Sequence, residues 1–206
     1  MTDYAELAAL GTATVHEAYG RLGLVDVPLR RIVPGSRAAG PARTVLCGQD
    51  DNLMVHAAIA AAEPGDVLVL TMPRPGPVAL VGELLATQAK VRGVAAILVD
   101  GAVRDVEELV ELGLPIWARF VRVRGADKAV PGELDEAIDV GGVTIEAGDA
   151  VVLDADGAVA VPVDHVEEVL AAARERAERE RVKRAKLEAG ELSYDLDGLR
   201  RLVEGP

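Results

Sequence analysis

The sequence predicts an α/β fold with a parallel βαβ core, a smaller mixed β element after it and a long C-terminal helix. Apolar runs rich in β-branched residues at 67–71, 94–99 and 114–119 alternate with helical patterns, which is typical of parallel strands joined by right-handed crossovers. After Gly125, short β runs are separated by glycine-containing turns. The chain has 206 residues, half of them hydrophobic, which fits one domain with a full core.

The first part of the chain is predicted to be mainly helical. We expect two helices in residues 3–22, where apolar positions recur at helical spacing and Thr12 or Thr14 can cap the second helix. Residues 32–45 mix proline, glycine and β-forming residues. A further helix is predicted over 52–62, because a proline and a glycine follow it.

Two helices are predicted between the core strands. The first spans 81–92, with Gly93 at its left-handed C-terminus, and a loop rich in proline and glycine, 72–77, precedes it. The second is a short helix over 107–111, closed by Gly113. The resulting succession of strand, helix, strand, helix and strand is what the parallel core requires.

The last third of the chain changes from β to helical character. Gly141-Gly142, Gly148-Asp149 and Asp156-Gly157 have the composition of hairpin turns. Residues 164–189 then form a long helix. Its apolar stripe comprises Val166, Val169, Leu170 and Ala173. The rest of the helix is charged nearly all round, so we expect 164–206 to be a helical extension that lies at a subunit interface.

Composition narrows the possible functions. A formal net charge of −12 and five aromatic residues argue against nucleic-acid binding, which needs basic surfaces and stacking platforms. Cys47 is the single cysteine, which excludes an intramolecular disulfide and is more typical of a small buried residue than of a nucleophile. We expect a cytoplasmic protein without a membrane partner, because the sequence has neither a secretory signal nor a run of about 20 apolar residues.

The most informative stretch runs from Gly82 to Asp105. The free N–H groups of a helix that begins at Gly82 can hold a carboxylate. Arg104 and Asp105 follow the strand 94–99, so they lie beyond its carboxyl end. Arginine can bind a carboxylate with two hydrogen bonds, and aspartate is a ligand for divalent ions, so the pair suits an acidic, chelating substrate. Three alternatives stay open: a surface ion pair for Arg104, helix capping for Asp105 and simple helix initiation at Gly82.

Glu83, twenty intervening residues and Arg104-Asp105 resemble the acidic-X20-Arg-Asp signature of the RraA-like family, in which the first position is often aspartate. This family includes the class II 4-hydroxy-4-methyl-2-oxoglutarate / 4-carboxy-4-hydroxy-2-oxoadipate aldolases. Other matching motifs are Thr12-Ala-Thr-Val-His-Glu-Ala, Asp51-Asn-Leu-Met-Val-His-Ala-Ala-Ile, Pro64-Gly-Asp-Val-Leu-Val, Gly148-Asp-Ala-Val-Val-Leu-Asp-Ala-Asp-Gly and Ala189-Gly-Glu-Leu-Ser-Tyr-Asp. The resemblance implies a layered αββα sandwich of the swivelling-domain type, in one domain over 1–206.

The resemblance also implies roles for the residues of the signature. Asp105 would hold a divalent cation, Mg2+ or Mn2+, and Arg104 would bind the substrate's carboxylate or the developing oxyanion. Glu83 would order water or take part in proton transfer. Backbone N–H groups would bind the same anion; they belong to Gly82, Leu84 and Leu85.

Further candidates come from the resemblance alone. His56, Asn52 and Glu17 match family positions near the anion site, although polar contacts on a helix face would explain each of them. Glu180, or else Glu178, matches a glutamate that reaches an adjacent subunit's metal site through water. In isolation both glutamates fit a solvated helix face with ion pairs four residues apart.

The function implied is that of a divalent-metal-dependent lyase. It would cleave 4-hydroxy-4-methyl-2-oxoglutarate-type substrates to pyruvate and a second 2-oxo acid, decarboxylate oxaloacetate as well, and assemble as a homotrimer or hexamer. The alternative is a non-catalytic regulator that binds an RNA-degrading endonuclease, like the founding RraA protein. Retention of Glu83, Arg104, Asp105 and the C-terminal extension favours the enzyme.

Overall fold

The computed structural model describes residues 2–205. The helices are α1 Tyr4–Leu10, α2 Thr12–Ala18, α3 Leu53–Ala61, α4 Glu83–Val91, α5 Val106–Leu112, α6 Val166–Glu188, α7 Ser193–Leu196 and α8 Arg200–Glu204. The strands are β1 Arg30–Arg31, β2 Ala38–Leu46, β3 Val67–Thr71, β4 Ala79–Val81, β5 Ala96–Val103, β6 Ile116–Val121, β7 Glu133–Leu134, β8 Ile138–Val140, β9 Val143–Ile145, β10 Ala150–Leu153 and β11 Ala158–Val161.

The main sheet has the strand order β1-β6-β5-β3-β2-β10-β11. Its centre, β6-β5-β3-β2, is parallel, which confirms the βαβ core. Strands β1, β10 and β11 extend it in antiparallel fashion, while β4 pairs with the end of β5 and β7 with the end of β2. Strands β8 and β9 form a separate hairpin.

Three hydrophobic clusters fill the spaces between the layers, and their arrangement confirms the αββα sandwich. The first joins one face of the parallel strands, through residues such as Leu68 and Ile97, to α3, α4 and α5. The second lies between the other face and the β8–β11 strands, and Trp117 is buried in it. The third joins β10 and β11 to α1, α2 and the start of α6. The predicted stripe of α6 is buried there, as Val166 and Leu170 show.

The boundaries differ from the sequence prediction at the site. Strand β5 continues to Val103 instead of ending at residue 99, because Asp100 is buried in an ion pair with Arg119 of β6 at 3.0 Å. The segment Ala79–Val81 is a strand that pairs with this extension, so α4 begins at Glu83, later than the predicted residue 81. The longer strand places Arg104 directly beside the start of α4.

One predicted turn is wrong. Gly141-Gly142 and Asp156-Gly157 connect antiparallel strands, as predicted. Gly148-Asp149 instead leads from the β8–β9 hairpin into the main sheet, because the buried Asp149 carboxylate accepts hydrogen bonds from the N–H groups of Glu146 and Val163. This residue therefore fixes a crossing between sheets.

The C-terminal half of α6 extends away from the hydrophobic clusters. Beyond Ala173 its residues are exposed or half-buried, including Val182 and Leu187. Lys183 pairs with Asp197 and so ties the final short helices to α6. Among residues 2–205, no helix is both long and apolar enough to cross a membrane.

Candidate functional site

A cleft of about 250 Å³ opens at the carboxyl end of β5. Its walls are α3, the start of α4, the β5–α5 connection and an irregular segment after β6. The lining residues are Asn52, His56, Ala79, Gly82, Leu84, Leu85, Gln88, Arg104, Asp105, Ala126 and Lys128. Ligands of open α/β folds characteristically bind beyond the carboxyl ends of parallel strands.

Asp105 has the most unusual backbone in the cleft. It occupies the N-cap position of α5 with φ 59° and ψ 48°, a left-handed conformation that is uncommon outside glycine. Within the described chain its side chain makes no capping bond to α5. Its Oδ2 instead accepts a hydrogen bond from the N–H of Glu83 at 3.1 Å. Capping of α5 therefore does not explain this aspartate, which is turned toward the start of α4.

Arg104 shares the space between Asp105 and Gly82. Its Nε lies 3.5 Å from Asp105 Oδ2, and its side chain is 48% exposed, so the guanidinium remains accessible to a ligand. A Cβ at Gly82 would lie 2.5 Å from Asp105 Oδ2 and 3.1 Å from Arg104 Nε. A Cβ at Gly125, in the segment after β6, would lie 2.8 Å from Arg104 Nη1. The two glycines therefore make room for the Arg-Asp pair.

The start of α4 presents free backbone N–H groups in the same cleft. Leu84 and Leu85 lie in its first turn, where backbone N–H groups have no acceptor within the helix. Both residues line the cleft beside Arg104. The positive end of the helix dipole and an adjacent arginine both favour a bound carboxylate.

Two residues that line this cleft, one in α3 and one at its N-cap, each carry a buried polar atom. The Asn52 side-chain amide donates a hydrogen bond to the carbonyl of Leu80 at 3.0 Å, which fixes its orientation. Its Oδ1 and the Nε2 of His56 are buried, and neither has a hydrogen-bond partner within residues 2–205. Buried polar atoms are rarely left unpaired, because each costs about 1–3 kcal/mol. A polar ligand in the cleft would supply the missing partner.

Asp105 is the carboxylate available for a cation. Its Oδ1 accepts no hydrogen bond from the described residues, and among residues 2–205 no group of three or more His, Cys, Asp or Glu side chains could hold a metal ion. Such a site does not suit zinc in a closed set of protein ligands. It fits Mg2+ or Mn2+, which accept one or two carboxylates and complete their shell with oxygens of water and ligand.

Other predicted site residues lie elsewhere in the single chain. Glu83 is turned along α4, where its carboxylate accepts a hydrogen bond from Thr87 at 3.0 Å. Glu17 of α2 pairs with Arg21 at 3.2 Å, and Glu180 of α6 pairs with Arg176 at 2.8 Å. None of these three glutamates lines the cleft of the described chain. Their roles in the site stay predictions.

Sequence reasoning missed four residues of the lining: Ala79, Gln88, Ala126 and Lys128. Gln88 could have been found, because it lies one helical turn after Leu84. Lys128 follows the end of β6 by several residues, and nothing local to it signals that it returns to the cleft.

Cys47 is not a nucleophile in this fold. It is 1% exposed, and burial, with a contribution from the Asp51 charge, raises the pKa of its thiol to about 12. The interpretation of Cys47 as a small buried residue is confirmed.

A family model described as RraA-like, Aldolase/RraA, matches residues 12–160. The chain belongs to this family. The match confirms the family identified from the Glu83, Arg104 and Asp105 signature.

Individual relatives of this RraA-like chain support the same assignment. A Halalkalibacterium halodurans protein, named provisionally as a 4-hydroxy-4-methyl-2-oxoglutarate aldolase, is 33% identical over 171 residues, which cover 83% of this chain and 81% of the relative. Streptomyces coelicolor RraAS2, described as an unusual member of the RNase ES inhibitor RraA protein family, is 30% identical with a TM-score of 0.78, covering 90% of this chain and 100% of that one.

The fold extends to a more distant structure. An uncharacterized protein from Pseudomonas syringae pv. tomato has a TM-score of 0.81 at 23% identity, and the alignment covers 93% of this chain and 92% of that one. At this identity the likeness concerns the fold alone.

Proposed function

We propose that this RraA-like protein is a divalent-metal-dependent lyase. It cleaves 4-hydroxy-2-oxo di- or tricarboxylates of the 4-hydroxy-4-methyl-2-oxoglutarate type to pyruvate and a second 2-oxo acid, and it also decarboxylates oxaloacetate. The observation that carries the proposal is the left-handed Asp105, which is turned away from its own helix to lie beside Arg104 at the start of α4. The name of the Halalkalibacterium halodurans relative supports this reaction.

The cleft favours an acidic ligand. Arg104 and Lys128 are two cations in the lining of the cleft, and the first-turn amides of Leu84 and Leu85 lie beside Arg104. Arg104 can bind a carboxylate with two charge-assisted hydrogen bonds while the amides bind the same group. A substrate with a carboxylate at each end would thus be attracted to both cations.

Asp105 would hold the cation. When bound, the cation supplies Lewis-acid polarisation of the 2-oxo group and so favours the build-up of negative charge there. Cleavage removes the proton of the 4-hydroxyl and breaks the C3–C4 bond, whose electron pair passes to the pyruvate fragment as its enolate. Arg104 stabilises this charge, and a proton delivered to C3 completes pyruvate.

A base must accept the proton of the 4-hydroxyl. Glu83 is adjacent to the cleft, but its carboxylate accepts a hydrogen bond from Thr87. This hydrogen bond must break before the carboxylate can enter the cleft. Glu180 is the second candidate, if a neighbouring copy brings its α6 to the cleft. Proton transfer by a positioned carboxylate contributes about 10²–10⁴-fold to rate.

A regulator of an RNA-degrading endonuclease is the second candidate function. It is favoured by the likeness to RraAS2, whose description names an RNase ES inhibitor family. A regulator does not require the exposed Arg104 guanidinium or the unpartnered Asn52 and His56 atoms of the cleft. These features favour the enzyme.

The test is a turnover assay with Mg2+ or Mn2+ and either oxaloacetate or 4-hydroxy-4-methyl-2-oxoglutarate, coupled to pyruvate detection. We expect turnover that EDTA abolishes and that is lost in Asp105→Ala and Arg104→Ala. Asp139→Ala is the matched control, because this exposed aspartate of β8 bonds only to Thr144 in the described chain. Unchanged turnover in both cleft variants, or stoichiometric capture of an endonuclease without turnover, would refute the proposal.

A further inference from the structure

One wall of the cleft belongs to neither a helix nor a strand. Residues 125–130, here called the wall segment, run irregularly between β6 and β7 and bring Ala126 and Lys128 into the cleft lining. The position of such a segment depends on the contacts that hold it.

Asp51 makes the most specific of these contacts. Its side chain is buried, with 0% exposure, just before α3. Oδ2 accepts hydrogen bonds from the N–H groups of Ala129 at 2.6 Å and Val130 at 3.0 Å. Oδ1 accepts one from Leu53 at 2.8 Å, in the first turn of α3. One carboxylate therefore joins the wall segment to the helix that carries His56.

Backbone hydrogen bonds on both sides of Asp51 hold the same two segments together. Asp50 is left-handed with φ 58°, and its carbonyl accepts a hydrogen bond from the N–H of Asp127 at 3.0 Å. The carbonyl of Asp127 accepts one from the N–H of Asn52 at 2.8 Å. A Cβ at Gly48 would lie 2.7 Å from the side chain of Val130, so the two segments approach closely.

We propose that Asp51 is a positioning residue of the cleft, although it does not line it. By holding the wall segment against α3, its carboxylate keeps Lys128 in the cleft lining together with Arg104 and thereby sets the affinity for an acidic ligand. This inference rests on the proposed function for the identity of that ligand. The restraint of the wall segment by Asp51 does not depend on the proposed function.

The substitution Asp51→Asn removes the carboxylate but keeps the volume of the side chain, so it tests the role of the second oxygen and the charge. Both oxygens of Asp51 accept from backbone N–H groups, and an amide has only one oxygen. In Asp51→Asn an NH2 group must therefore face either Leu53 or the wall segment. Asp149→Asn is the matched control, because Asp149 is also buried, with 5% exposure, and its two oxygens likewise accept hydrogen bonds from backbone N–H groups, those of Glu146 and Val163, away from the cleft.

The first experiment compares both variants by amide hydrogen exchange, without any ligand, at a temperature where each is folded. We expect faster exchange in residues 126–130 of Asp51→Asn only. Wild-type exchange in this segment of Asp51→Asn would overturn the proposal. This arm remains valid if the protein turns over no keto acid, an outcome that would refute the proposed function alone.

The second experiment measures oxaloacetate decarboxylation. We expect Asp51→Asn to raise KM by about ten-fold and to lower kcat by less than about three-fold. The reason is that the substitution weakens substrate binding by the wall segment and leaves the Arg104-Asp105 pair largely in place. Asp149→Asn should leave KM unchanged. In the Lys128→Ala background, Asp51→Asn should raise KM by less than about two-fold more, because both changes remove one interaction. An equal effect of Asp51→Asn with and without Lys128 would overturn the positioning role.

Discussion

Gly82→Ala tests whether the close approach of α4 to the Arg-Asp pair is functional. The backbone of Gly82 is extended, with φ −134°, so alanine is compatible with its conformation. The added methyl group, however, would lie 2.5 Å from Asp105 Oδ2 and 3.1 Å from Arg104 Nε. The substitution therefore perturbs the cleft with little intrinsic backbone strain.

The size of the effect follows from the distances. Ordinary contact begins near 3.4 Å, so the Asp105 carboxylate must retreat by about 1 Å. A misplacement of about 1 Å can cost roughly 100-fold in rate, or about 2.7 kcal/mol of transition-state stabilisation. The folding cost should be smaller. Alanine is a poorer N-cap than glycine by about 1 kcal/mol at most, which lowers the unfolding midpoint by about 2–4 °C.

The assay is pyruvate release from oxaloacetate with saturating Mg2+, together with a thermal unfolding curve. Gly76→Ala is the control, because within residues 2–205 its Cβ would meet nothing nearer than the carbonyl of Arg74 at 3.7 Å. We expect kcat/KM to fall by about 100-fold in Gly82→Ala and to stay unchanged in Gly76→Ala. A folded Gly82→Ala protein with wild-type kcat/KM would refute the reasoning.

Three further predictions concern single side chains. Glu180→Gln should lower turnover by about 100-fold, and Glu178→Gln should not, because Glu180 matches the family's inter-subunit glutamate better by spacing. Each glutamate is paired with an arginine within the chain, Glu180 with Arg176 and Glu178 with Arg181. Cys47 should resist a disulfide reagent at about pH 8 in the folded protein and react fully after unfolding, because burial raises its pKa to about 12. Burial tends to raise the pKa of Asp51, but its backbone N–H donors outweigh this and hold the pKa below the usual 3.8. The ionised Asp51 carboxylate therefore stabilises the folded protein fully above pH 3.8, and this stabilisation is lost as the pH falls through the lower pKa of the folded state. The difference in unfolding temperature between wild type and Asp51→Asn should consequently narrow in acid.

The parallel core could be predicted because its signals are local. Residues 67–71 form a fully buried strand within the predicted bounds, and the helix 164–189 was recognisable from its stripe and charge pattern. The end of β5 could not be predicted, since Asp100-Gly101 has the composition of a turn. It is strand because Ala102 and Val103 pair with β4 and β6, and because Thr71 and Arg119 bind the buried Asp100 carboxylate.

The part of the candidate site around Gly82, Arg104 and Asp105 was predictable, and the part formed by the segment after β6 was not. Gly82, Arg104 and Asp105 belong to a single βα unit, so strand and helix signals were enough to bring them together. Lys128 precedes two residues whose backbone N–H groups donate hydrogen bonds to Asp51, more than 70 residues earlier in the chain. No periodicity or turn signal reports such a contact, because its partners are backbone amides.

Mn2+ binding, followed by water-proton relaxation in the presence and absence of pyruvate, tests the central claim most directly, because it measures the cation and needs no turnover. We expect one Mn2+ site per chain, strengthened by pyruvate, that is lost in Asp105→Asn, and a loss of the pyruvate effect alone in Arg104→Ala. Equal Mn2+ binding by the wild-type protein and Asp105→Asn, with the same response to pyruvate, would contradict the account.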